Sequence, residues 1–184
     1  KALKNEGMDI LDLEGCANHR GSLLGSIGLG KQNTQRMFES LIYESLIDRK
    51  TNIVFVEGES RRIGKDIIPE YLYQAMNNGI NFKIHASMEV RINNILKDYV
   101  HDNDDELIAS LNLLRKHISN KNIDKSIELI YNHEYRKVIK ELMVKYYDPL
   151  YENRNRSYSH IFINEGVKAT AKNICGTVVR NCNL

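Results

Sequence analysis

Two short apolar runs, each closed by an acid and a glycine, constrain this chain more than anything else in its sequence. "MDILDLEG" carries Ile10, Leu11 and Leu13 ahead of Glu14 and Gly15, and "TNIVFVEGES" carries Ile53, Val54, Phe55 and Val56 ahead of Glu57 and Gly58. Runs of this length bounded by turn residues read as strands buried on both faces, the form strands take in a parallel sheet. "NFKIHAS" and "YSHIFIN" are weaker strand candidates, and helical patterns such as "QRMFESLIYESLID" and "IPEYLYQAMNNG" lie between strands. This alternation predicts an α/β fold with a mainly parallel sheet. Such sheets place ligands beyond the carboxyl ends of their strands, which is where "EGCANHRGS" and "EGESRRIG" emerge.

The middle of the chain changes period. From about Met88 to Tyr147 it is helical throughout, with one stripe of Ile92, Ile95, Leu96 and Tyr99, another of Leu107, Leu111, Leu114 and Ile118, and a third of Val138, Leu142 and Met143. Stripes at this spacing are core. "YDPLYENRNRSYSH" is expected to end the helical run at Pro149, and "GVKATAKNICGTVVRNC" reads as a closing helix. Three segments follow: 1–87, an α/β core with the site loops; 88–150, a helical subdomain inserted before the last strand; and 151–184, the last strand and a helix that complete the core. The opening "KALKNEG" reads as the end of a helix at a glycine cap, so an upstream part is expected.

Charge narrows the partners. The 26 basic and 24 acidic residues leave a net +2, so a polyanion must be met by a local patch and not by the global field. Cys16, Cys175 and Cys182 have neither zinc-site nor redox-pair spacing, and their odd number argues for a reducing compartment. No window approaches the roughly 18 apolar residues of a membrane span, so a cytoplasmic protein without a membrane partner is expected.

The acids at the strand ends, Asp12, Glu14, Glu57 and Glu59, suit a magnesium ion or a phosphate leaving group, because hard cations take carboxylate oxygens and keep several waters. Their other reading is as caps on the helices that follow. Asn18, His19, Arg20 and Ser22 crowd beside Gly15, Gly21 and Gly25, a donor-rich loop whose glycines let N–H groups turn toward an anion. Arg61, Arg62, Lys65, Arg91 and Lys97 add cations of the kind that phosphates recruit. Tyr146, Tyr147, Tyr151 and Tyr158 cluster in sequence with Arg154 and Arg156, a mixture of stacking faces and cations suited to single-stranded RNA. Cys16 reads as a small half-buried thiol. There is no G-x-x-x-x-G-K-[ST] motif, and "GSIGLGKQNTQ" follows a loop with its first glycine mis-spaced.

In this order "DLEGCANHRGSLLG", "QNTQRMFESLI", "VEGESRRIG", "MEVRINNILKDYV" and "YYDPLY" resemble the carboxyl-terminal domain of the tRNA 2-selenouridine synthases across nearly the whole chain. The resemblance implies a mainly parallel sheet of P-loop NTPase type, truncated at its amino-terminal side, with the helical insert before the last strand. It also implies an enzyme that replaces sulfur by selenium in wobble 2-thiouridine of tRNA, through an S-geranyl intermediate, using selenophosphate and geranyl diphosphate. The rhodanese domain of that family, on the same or a separate chain, and its Walker-type loop have no counterpart here. Asn33 stands where the family's Q-P-x-Q stretch has proline.

Carried over by position, the resemblance makes Asp12, Glu14, Asn18, Gly21, Ser22, Gln35, Ser60, Arg61, Gly64 and Arg91 substrate- and phosphate-binding. Asp148 joins them as a weaker member. His19, Arg20, Glu57 and Glu59 become the catalytic candidates, with His19 moving a proton, Arg20 and Arg61 meeting the leaving group, and Glu57 or Glu59 holding Mg²⁺. Tyr147, Tyr151, Arg154 and Arg156 are the expected contacts to the tRNA anticodon arm. Two other classes fit the same residues: an RNA-binding module without catalysis of its own, and a P-loop small-molecule kinase or NTPase.

Overall fold

The structure is a computed structural model that describes residues 1–100, 104–152 and 157–182. In chain order its elements are α1 (Ala2–Asn5), β1 (Asp9–Leu11), α2 (Leu13–Ala17), α3 (Gln35–Ile47), β2 (Val54–Val56), β3 (Arg62–Ile63), β4 (Asp66–Ile67), α4 (Glu70–Asn78), β5 (Phe82–His85), α5 (Met88–Tyr99), α6 (Asp104–Leu113), α7 (Asn120–Tyr131), α8 (Tyr135–Leu142), α9 (Asp148–Glu152), β6 (His160–Ile163) and α10 (Val167–Cys182). The chain is α/β, with short parallel pairings and mostly helix. It divides into two compact units.

The first unit comprises Lys1–Ser22, Lys31–Ala86 and Ser157–Leu184. The two apolar runs are indeed strands and pair in parallel, Asp9 opposite Val54, Ile10 opposite Phe55 and Leu11 opposite Val56. The weaker candidates pair likewise, from Phe82 opposite His160 to His85 opposite Ile163. Asp9 closes the first crossover by accepting from the Thr51 N–H and hydroxyl, both at 2.7 Å, and from the Lys50 N–H at 3.0 Å. The core beneath holds Leu11, Leu13, Phe38, Ile42, Ile63, Ile68 and Leu72. An antiparallel hairpin, β3 with β4, was not expected: "SRRIGKDI" turns back on itself at Gly64, whose φ is +56°. A positive φ of this size strains any residue with a Cβ.

The second unit comprises Leu23–Gly30 and Ser87–Arg156. Its core of Leu107, Leu111, Leu114, Ile123, Ile130, Val138 and Leu142 takes in Ile27, and the Gly28 N–H donates to Glu106 at 3.1 Å. A smaller cluster joins Ile92, Ile139 and Met143. The helical run does not end at the proline. A wide π-type turn over Met143–Tyr147 leads without a break into α9, with Pro149 as its second residue. Among the described residues no helix is long and apolar enough to cross a membrane.

Candidate functional site

The register of β1 and β2 builds the site. Leu11 lies opposite Val56, so the next residues, Asp12 and Glu57, leave the sheet side by side. "DLEGCANHRGS" does not continue as an open loop but winds into α2. The Asp12 carboxylate caps that helix by accepting from the Gly15 N–H at 2.7 Å, while Glu57 accepts from the Leu13 N–H at 3.0 Å. The two acids thus serve the first N–H groups of α2, and the register sets them side by side. A Cβ at Gly15 would lie 2.8 Å from the Asp12 carboxylate, which would have to give way.

Convergence changes how the acids titrate. Burial pushes the Glu14 carboxyl up to about 7, and Glu59, Glu57 and Asp12 add to the shift while Arg20 opposes it. Burial also pushes Glu57 up to about 7, with Asp12 raising it further against the stabilising Leu13 N–H. Two carboxyls are thus pushed up from the usual carboxylate range toward neutrality. Neither was identified by sequence reasoning as the proton carrier, because the shift depends on a register that only pairing reveals.

The donor loop follows directly. Asn18 ends α2 in the left-handed region at φ 52°, and its side-chain amide donates to the Lys31 carbonyl at 3.1 Å. Asn33 returns the favour from the far side of the excursion, its N–H donating to Ala17 at 3.1 Å and its amide to Cys16 at 3.0 Å. The Ser22 N–H donates to the Arg20 carbonyl at 2.7 Å. Gly21, at φ +66°, lies directly against Glu59; a Cβ there would meet the carboxylate at 2.5 Å. That contact brings the second acidic segment onto the first. Arg20 is half-buried and close enough to Glu14 to lower its pKa.

His19 differs from expectation. It is 7% exposed, and its Nδ1 has no hydrogen-bond partner. Burial holds its pKa below the ordinary imidazole value, Asp66 opposing and Arg20 reinforcing, so the ring is neutral at neutral pH. Asp66 is itself only 1% exposed and accepts from the Gln32 amide at 2.7 Å. Cys16 is buried with its thiol pushed up to about 11, chiefly by desolvation, and is chemically quiet.

Other predicted residues shape the scaffold. Arg61 pairs with Glu70 at 2.5 Å and lies 5.8 Å over the Tyr73 ring. The Ser60 hydroxyl donates to the Arg62 carbonyl at 2.9 Å. Gln35 grips Ile67 as a strand would, accepting from its N–H at 2.7 Å and donating to its carbonyl at 2.8 Å. Gln32, ahead of α3, spans the turn, donating to the Ile63 carbonyl at 2.9 Å and accepting from the Lys65 N–H at 3.2 Å, and it packs against Gly64. Sequence reasoning missed Gln32 and Asp66; the signal was a glutamine pair ahead of a helix followed downstream by a Gly-Lys turn.

In the second unit Arg91 makes a two-pronged pair with Asp148, Nη1 to Oδ2 at 3.0 Å and Nη2 to Oδ1, which raises its pKa further. Tyr147 packs edge-on against Tyr146, ring centroids 4.9 Å apart, and Tyr151 is 52% exposed. Arg154 and Arg156 lie outside the described residues. Among the described residues no group of three or more His, Cys, Asp or Glu is arranged to hold a metal ion.

Comparison with known proteins bears on identity. A family model described as the tRNA 2-selenouridine synthase AAA domain matches residues 1–181. A protein of Shewanella oneidensis named tRNA 2-selenouridine synthase is 28% identical over 183 residues, covering 83% of this chain and 48% of its own length. One of the same name from Shewanella woodyi is 38% identical over 96 residues, covering 50% of this chain and 26% of itself. The chain thus spans about half the length of the first of these relatives. No solved structure matches. With the match running from end to end, and the resemblance read from "DLEG-ANHRGS" and "VEGESRRIG" borne out, the chain belongs to the tRNA 2-selenouridine synthase AAA-domain family.

Proposed function

We propose that this chain is the phosphate-handling part of a tRNA-modifying transferase that converts wobble 2-thiouridine to 2-selenouridine through S-geranyl-2-thiouridine. Selenophosphate and geranyl diphosphate are the donors, and the tRNA anticodon arm and a rhodanese domain are the partners. The observation that supports it is the convergence of Asp12, Glu14, Glu57 and Glu59 with the Arg20 loop at the ends of adjacent parallel strands.

Both donors release a phosphate or diphosphate, so the reaction needs fixed positive charge and aligned N–H groups where that charge develops. Arg20 takes this role, with the Gly21 N–H group beside it. Arg61 stays with Glu70 and Tyr73 and shapes the hairpin. Glu14 and Glu57, titrating near neutrality, carry the protons, a role for which their pKa suits them better than neutral, buried His19. With Glu57 carrying a proton, Glu59 is the carboxylate left for Mg²⁺, an ion that one or two carboxylates hold with water and substrate phosphate completing its shell. Tyr147, Tyr151, Arg154 and Arg156 are assigned to the RNA, and Arg91 to the phosphorylated substrate. The sheet is read as P-loop NTPase type, the segments 1–87, 88–150 and 151–184 as core, helical subdomain and completion of the core, and the compartment as the cytoplasm.

The test is binding of a fluorescent 2-thiouridine anticodon stem-loop, with and without geranyl diphosphate and Mg²⁺. Tighter binding with the diphosphate, lost in Arg20→Ala, is the expected result. Binding indifferent to diphosphate overturns the reading and leaves an RNA-holding module; absence of binding overturns it altogether.

A further inference from the structure

The β3–β4 hairpin of the first unit carries charge outward. Its ladder sets Arg62 opposite Ile67 and Ile63 opposite Asp66. Residues directly opposite each other in an antiparallel pair share a face. Ile63 and Asp66 are both buried, so the face of Arg62 and Ile67 is the outer one, with Arg62 exposed and Ile67 40% exposed. Lys65 stands exposed at the turn, its Nζ donating to the Gln32 carbonyl at 3.5 Å. The glutamines that clamp the hairpin bring two more exposed cations to it, since Lys31 precedes Gln32 and Arg36 follows Gln35. Tyr71, in the first turn of α4 directly after the hairpin, is 61% exposed.

The charge of this surface is uncompensated. Among the described residues Lys31, Arg36, Arg62 and Lys65 pair with no acid. The nearest carboxylates are occupied, Glu70 by Arg61 and Glu39 by the Gln35 amide at 2.7 Å. In the helical unit, by contrast, Arg91, Arg115, Lys125, Arg136, Lys137 and Lys145 are each tied to an acid. Arg62 also follows Glu59 by three residues, and Glu59 lies against Gly21 of the donor loop.

We propose that the outer face of the β3–β4 hairpin is an RNA-backbone surface. Arg62 and Lys65 meet phosphates, Lys31 and Arg36 keep the local potential positive, and Tyr71 offers a stacking face to an unpaired base. Free cations beside an exposed ring fit RNA better than they fit an acidic polypeptide, which has no base to stack. The clamps of Gln32 and Gln35 hold the surface rigid, so little order has to be gained on binding. The inference rests on the tRNA partner of the reading above and on none of its chemistry, and it adds a surface to the residues assigned to RNA there.

Titration of the anticodon stem-loop at several potassium chloride concentrations tests it, in the parent chain, in the double variant Arg62→Ala with Lys65→Ala, and in Lys168→Ala with Lys172→Ala, which removes the same charge from α10. The hairpin variant should bind at least about fivefold more weakly and show a slope of log K on log salt shallower by about 1.4 to 1.8, the share of two phosphate contacts. The α10 variant should show neither change in full. Tyr71→Ala should weaken binding about fivefold at an unchanged slope, because stacking releases no counterions. Unaltered affinity and slope in the hairpin variant, equal losses in the hairpin and α10 variants, or no binding of the stem-loop to the parent chain overturn the proposal. Parental affinity in Tyr71→Ala overturns it in favour of a surface for any polyanion, an acidic polypeptide included. A stem-loop with uridine in place of 2-thiouridine should suffer the same losses, and these losses do not depend on geranyl diphosphate. RNA that ignores the diphosphate yet loses affinity with Arg62 and Lys65 removes the site assignment and leaves the surface standing, so the two failures read out separately.

Discussion

The carboxyl of Glu57 shows how a side chain takes its chemistry from its neighbours. Its folded value of about 7 lies well above the ordinary value of 4.5, because burial and Asp12 disfavour its charge. Between those two values the folded state holds a proton that the unfolded chain releases, so the group's contribution to stability falls as pH rises through that window and is level above it. Glu57→Gln keeps an oxygen for the Leu13 N–H and removes the ionisation. The variant should match the parent at about pH 5 and melt higher than it at about pH 8, measured by thermal denaturation at both values. His19 contributes with the opposite sign, its depressed value costing stability as pH falls, but it is common to both proteins and cancels in the comparison. A variant that melts lower at the alkaline value would mean that Glu57 is held ionised, and the proton-carrier assignment would fail.

Elements too short to stand alone borrow stability from side chains. β3 and β4 have two residues each, far below what a free hairpin needs, and Gln32 and Gln35 supply the missing backbone partners from outside. Gln35→Ala removes both bonds to Ile67 and should cost about 1–3 kcal/mol in urea denaturation, with exchange at the Ile67 amide accelerating first. Unchanged exchange there would mean that the glutamine is ornamental. The hairpin was illegible in the sequence for the same reason that it needs the glutamines: two-residue strands show no period, and amide clamping leaves no hydrophobic signature. β1 and β2 were legible because an unbroken apolar run bounded by glycine has few other uses, and the stripes from Ile92 to Met143 because burial repeats at helical spacing. The acids were legible as a group, yet their titration was not, since it depends on Leu11 lying opposite Val56. Leu23–Gly30 joins the helical unit through Ile27 and through Glu106, 78 residues beyond Gly28, a link that no local pattern announces.

At the scale of the whole molecule each unit keeps its own core, and what the units share is a nearly cancelled charge. A net +2 provides little long-range pull on RNA. Of the 26 lysines and arginines at least seven are engaged with acids: Arg61, Arg91, Arg115, Lys125, Arg136, Lys137 and Lys145. Most of these pairs are exposed and individually weak, but a cation already paired gains less from a phosphate and releases fewer counterions on meeting one. Binding of the anticodon stem-loop should therefore show a shallow dependence on salt, a slope of log K on log salt of about −2 to −4, where a strongly basic protein making 6–10 phosphate contacts falls far more steeply. Arg20→Ala should make the slope shallower by about 0.7 to 0.9, the share of a single phosphate contact. Titrations at several potassium chloride concentrations measure both. An unaltered slope in that variant would remove Arg20 from the phosphate, and a slope near −8 would show that RNA is gripped by a basic surface far larger than the strand-end loop.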